Sequence, residues 1–97
     1  MVENLSPIRR REYPFLVILQ HDRVTAVDTI IVAPLVRSGG RFTRTKLHPS
    51  ISLDQEYVVL VEQLSAVSRR ILGRVIGSAE DSRYHLIAAV DLLFTGI

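Results

Sequence analysis

The longest helical signal in this chain is also its last. Across residues 78–97 (SAEDSRYHLIAAVDLLFTGI), 100° per residue puts Leu86, Ile87, Val90, Leu93, Phe94 and Ile97 on one side of a helix. Ser78 and Asp81 match a loose capping box, and Glu80 and Asp81 suit the positive end of the helix dipole. Gly96 is the natural stop. Leu92 falls nearly opposite the stripe, beside His85, and the Thr95-Gly96-Ile97 tail runs beyond the last packed turn. A single amphipathic helix has to lay its stripe on another layer, so what precedes it decides the fold.

What precedes it is short, β-branched and interrupted. Tyr13-Pro14 introduces residues 15–20 (FLVILQ), a continuous apolar run suited to a strand buried on both faces. Residues 29–36 (TIIVAPLV) form a second such run, with a bulge or strand end expected at Pro34. Ser38-Gly39-Gly40 breaks the chain. Ile51 and Leu53 alternate with serines, Asp54-Gln55-Glu56 reads as a hairpin turn, and residues 57–62 (YVVLVE) as its second strand. A further strand is expected within residues 65–72, stopped by Gly73. Residues 1–11 lack periodicity and read as a loose or edge segment. Five or so strands followed by one helix make an α+β chain, mainly β: a partly open antiparallel barrel with the C-terminal α-helix over an opening.

Ninety-seven residues, nearly half of them hydrophobic, make one domain with a core of its own (residues 1–97). The absence of cysteine removes disulfides, thiol nucleophiles and Cys-based metal sites. His21, His48 and His85 have no metal-binding spacing, so no metal and no cofactor are expected. No P-loop, dinucleotide glycine fingerprint, HExxH or GxSxG is present, and no residue is assigned a catalytic role. No apolar window approaches a membrane span and no secretory segment leads the chain, so a cytoplasmic protein without membrane contact is expected. The net charge is only +2, but Arg9-Arg10-Arg11, Arg37/Arg41/Arg44/Lys46 and Arg69-Arg70/Arg74 form basic clusters suited to nucleic acid or an acidic peptide. Ala88, Ala89 and Leu92 give the helix a second, small-residue side, expected to face another copy or a partner.

Several blocks resemble the CcdB family, the toxins of CcdA/CcdB plasmid-maintenance toxin–antitoxin systems. They are the Tyr13–Gln20 run followed by Asp22, Ile31-Val32-Ala33-Pro34-Leu35, Leu47-His48-Pro49, and the tail from Leu64, peaking at Ala89-Val90-Asp91-Leu92-Leu93-Phe94-Thr95-Gly96-Ile97. The resemblance implies an SH3-like barrel shared with MazF-type endoribonuclease toxins. It also implies a homodimer, a CcdA-like antitoxin that wraps the toxin with a disordered segment, and no enzymatic activity. The family's target is the gyrase A subunit, whose cleaved DNA complex is trapped; direct nucleic-acid binding is not expected. Carried over position by position, the target-binding residues are Arg23, Val24, Asp91, Phe94, Thr95, Gly96 and Ile97. The basic residues Arg41, Arg44, Lys46, Arg69 and Arg70 are expected to attract the antitoxin.

Three departures fall on that surface. Thr95 stands where the family has a tryptophan, Asp91 where it has an asparagine, and Arg23 where it has an isoleucine. A tryptophan is a typical interface anchor, so its replacement bears on the target. The leading reading is a gyrase-poisoning toxin. Two alternatives remain beside it: a MazF-like endoribonuclease on the same barrel, and a CcdB-like protein that has lost gyrase poisoning.

Overall fold

The computed structural model of the chain describes residues 1–19 and 28–96. Within them run β1 (Val2–Asn4), β2 (Phe15–Ile18), β3 (Thr29–Arg37), β4 (Ser50–Ser52), β5 (Glu56–Val59), β6 (Ser65–Ser68), β7 (Leu72–Val75) and α1 (Arg83–Thr95). The seven strands form one sheet in the order β4-β5-β3-β2-β1-β7, with β6 added on β3, and every pairing is antiparallel. The sheet does not close, so the architecture is a mainly β, partly open barrel with a C-terminal helix.

The sheet turns on β3. Its early residues Thr29, Ile30, Ile31 and Val32 pair with β6, whereas Leu35, Val36 and Arg37 pair with β5. Its other edge meets β2 through Val32, Ala33 and Pro34. Pro34 is therefore inside a strand and buried, not at a bulge or an end. It stands between the last β6 pair and the first β5 pair, where one missing N–H disturbs neither ladder. Its carbonyl still accepts from the Leu60 N–H at 3.0 Å.

Three other expectations need correction. The start of residues 1–11 is not a loose edge, because β1 lies between β2 and β7 with Met1, Val2 and Asn4 buried; residues 7–11 are an exposed turn. The strand expected at residues 57–62 ends at Val59, and Val61–Gln63 is a 3-10 turn. The strand expected within residues 65–72 is two strands joined by the 3-10 turn Arg69–Ile71. Gly73 lies inside β7 rather than stopping a strand. A Cβ there would come within 2.9 Å of the Glu3 Cβ, so the glycine is what lets β7 approach β1.

Alternate residues of the strands face opposite ways and build two apolar clusters. Val17, Ala33, Leu35, Tyr57, Val59 and Val61 form the larger, which α1 covers with Leu86 and Ala89. Val2, Leu16, Ile30 and Val32 form the smaller on the reverse face, where Val67, Ile71 and Leu72 pack against it. This is why residues 15–18 and 30–35 read as continuous apolar runs: both of their faces are covered. Among the described residues, no helix is long and apolar enough to cross a membrane.

Candidate functional site on the C-terminal helix

The helix begins after a 3-10 turn, Glu80–Ser82, rather than at Ser78. Ser78 Oγ accepts from the Glu80 N–H at 3.2 Å and so caps that turn, while Ser82 Oγ donates to the Ser50 carbonyl at 3.2 Å and ties the helix start to β4. At the other end Gly96 adopts φ 73°, the left-handed conformation in which glycine has no steric penalty. Its N–H donates to the Leu92 carbonyl at 2.9 Å, so the helix stops where expected.

The packed face is not the expected one. Leu86 and Ala89 are buried and Val90 and Leu93 pack against the same cluster, whereas Ile87 is 52% exposed and Phe94 70% exposed. The stripe is rotated by roughly 45° from the side expected at 100° per residue. The cause is Ala89, fully buried at the closest approach of helix to core. A large side chain there would push the helix away, since interaxial distance follows side-chain size. Weighting residues by hydrophobicity favours Ile87 and Phe94 and undervalues the alanine. Ala89 thus leaves the proposed outer surface, Ala88 stays on it, and Leu92 is half-buried rather than opposite the core.

That rotation gathers an exposed apolar side. Tyr84, Ile87, Asp91 and Phe94 follow at intervals of three, four and three, which places them on one face pointing away from the sheet. Tyr84 and Ile87 were not among the expected site residues, although this second helical period was present in the sequence. Asp91, Phe94, Thr95 and Gly96 come together at the free end of the helix, all exposed. Thr95 Oγ1 donates to the Asp91 carbonyl at 2.6 Å, which holds that side chain against the last turn instead of projecting it. Arg23, Val24 and Ile97, also expected in this surface, lie outside the described residues.

Beside the helix, the polar side chains of the Val61–Gln63 turn are paired. His48 Nε2 lies 2.7 Å from Glu62 Oε2, and the Tyr13 hydroxyl donates to Gln63 Oε1 at 3.0 Å, so both polar side chains of the turn are engaged from neighbouring loops. Arg41 stacks on Phe42 at 5.2 Å, while Arg44, Lys46 and Arg70 are exposed and Arg69 is half-buried. Among the described residues no group of three or more His, Asp or Glu side chains is placed to hold a metal ion.

The structure is thus a small, partly open β-barrel with a C-terminal helix, one apolar and aromatic side of which is exposed. The CcdB protein family matches residues 3–96, and the chain belongs to it: a CcdB-family toxin of a toxin–antitoxin system. Members of that family poison gyrase rather than act as enzymes, MazF-like homologues are RNases, and the family implies an antitoxin partner. No curated protein sequence matches the chain. A solved structure described as "Crystal structure of Mtb toxin" superposes with a TM-score of 0.75 over 96% of this chain and 98% of that one, at 20% identity. At that identity the likeness speaks for the fold.

Proposed function

We propose that this toxin engages its target through the exposed side and free end of α1, and that the target is the gyrase A subunit. The observation that carries the proposal is Phe94, 70% exposed on a folded helix beside Asp91, Thr95 and Gly96. Solvent-exposed aromatics at a helix end contribute little to the fold and are the usual anchors of an interface. Family membership supports gyrase as the target. Arg23, Val24 and Ile97 are assigned to the same surface by family resemblance alone.

The active assembly is a homodimer in this reading, with Ala88, Tyr84 and Ile87 offered as the small-and-aromatic side that another copy or the target covers. The antitoxin is acidic and disordered where it binds, drawn by Arg41, Arg44, Lys46, Arg69 and Arg70, so its association slows and weakens with salt. Induction in a bacterial host, with and without the neighbouring reading frame, tests the whole. Growth arrest relieved by the neighbour is the expected result. Absence of arrest would leave a family member without toxicity, and RNA cleavage by the purified protein would replace gyrase with RNA as the target.

A further inference from the structure

The reverse face of the sheet carries a feature that the helix site does not use. Residues 7–12 form a turn held over β2 and β3 by Asn4, whose Nδ2 donates to the Tyr13 carbonyl at 2.8 Å and whose Oδ1 accepts from the Ser6 N–H at 3.0 Å. Under that turn lies a cavity of about 80 Å³ that opens to solvent. Its floor is apolar, made by Leu16, Val32, Val67 and Ile71. Its rim is polar: Arg9, Ser6, Gln63 and Ser65.

The rim is rich in donors and free of carboxylates. Arg9 stacks on Tyr13 at 5.4 Å from the ring centroid and has no acidic partner among the described residues. The Tyr13 hydroxyl occupies Gln63 Oε1, which leaves the Gln63 Nε2 hydrogens without a partner among the described residues. Of the nearby acids, Glu3 faces Arg74, Glu62 faces His48, and Glu12 is exposed on the turn without lining the cavity. A guanidinium with an amide donor over an apolar floor suits a ligand with an aliphatic stem and an anionic head. The volume decides the class: it falls well short of the roughly 300 Å³ at which sites for drug-sized ligands begin, so it takes one side chain and not a nucleotide.

We propose that this cavity binds a single glutamate side chain of a disordered acidic peptide, its methylenes on Leu16 and Val67 and its carboxylate on Arg9 and Gln63. The inference takes the antitoxin of the proposed function as the natural source of such a peptide, while the site itself stands on the cavity. It also gives the first arginine of the Arg9-Arg10-Arg11 run a role, since Arg9 lines the cavity.

The test is fluorescence anisotropy with a short labelled peptide of alternating glutamate and leucine, titrated at fixed salt against wild type, Arg9→Gln, Ser65→Leu and Arg83→Gln. Arg9 and Ser65 are exposed, so melting curves should show all three variants folded. Arg9→Gln and Ser65→Leu, which remove the cation and plug the mouth, should each weaken binding at least about tenfold, as loss of a hydrogen bond to a charged group does. Arg83→Gln should leave it within about twofold, since that exposed charge lies at the start of α1, outside the cavity. Equal losses in Arg9→Gln and Arg83→Gln would overturn the proposal in favour of diffuse charge. Equal binding of the peptide with glutamine in place of glutamate would overturn it too. So would tight binding of oligouridylate blocked by Ser65→Leu, which would assign the cavity to RNA. A toxic wild type that ignores the peptide counts against the cavity alone, and a peptide-binding protein without toxicity counts against the toxin reading alone.

Discussion

The two sides of α1 are made of similar residues and do different things. Leu86, Ala89, Val90 and Leu93 pack on the larger core, whereas Tyr84, Ile87 and Phe94 are just as apolar and face water. Hydrophobicity alone does not separate them. What separates them is the fit of Ala89, the one small side chain that lets the helix seat closely. A fold with one helix and two apolar stripes has a side to spare, and the spare side is where an interaction protein can place its contacts without weakening its core.

The comparison sharpens into substitutions with opposite consequences. The largest stability effect should come from Leu86→Ala, which empties a buried site: a loss of about 2–5 kcal/mol in urea unfolding. Next is Ala89→Leu, which overpacks the closest contact and should cost about 1–3 kcal/mol by the same measurement. Phe94→Ala should change stability by no more than about 0.5 kcal/mol, as exposed positions do, yet should abolish growth arrest on induction. A loss of several kcal/mol from Phe94→Ala would place that ring in the core and erase the distinction between the sides. Smallest in the fold, and informative about the target, is Thr95→Trp. It should leave the melting temperature unchanged within a few degrees and raise gyrase affinity by up to about 2 kcal/mol if the aromatic anchor is what the surface lacks. An unchanged affinity would mean that Asp91 and its neighbours are shaped for another partner.

Where the sequence can be read depends on whether a segment's own pattern or its surroundings shape it. Residues 15–18 and 29–37 are legible because burial on both faces demands an unbroken apolar run. The β4–β5 hairpin is legible because its turn residues punctuate an alternating pattern. β1 is hidden because three residues beside an arginine run carry no period, and its place between β2 and β7 comes from long-range pairing. Gly73 misleads for a similar reason: a glycine that stops a strand and one that admits a close neighbour look alike until Glu3 is seen opposite. Pro34 fits inside β3 only because two ladders happen to meet there.

The helix is legible from its period, although the Glu80–Ser82 turn moves its start from Ser78 to Arg83, and its end at Gly96 needs only local chemistry. Its orientation did not follow, because the decisive residue is the least hydrophobic one in the stripe. The cavity on the reverse face has no sequence signal at all. Arg9, Leu16, Gln63, Ser65 and Ile71 are brought to it from the β1–β2 loop, β2, the Val61–Gln63 turn, β6 and the Arg69–Ile71 turn.

The central claim is that one side of α1 holds the fold and the other reaches the target. It is tested most directly by inducing the Phe94→Ala protein in a host that the wild type arrests, with the purified variant melted alongside. The account predicts a melting curve that overlays the wild type and a culture that keeps growing. A variant that melts with the wild type and still arrests growth would contradict it.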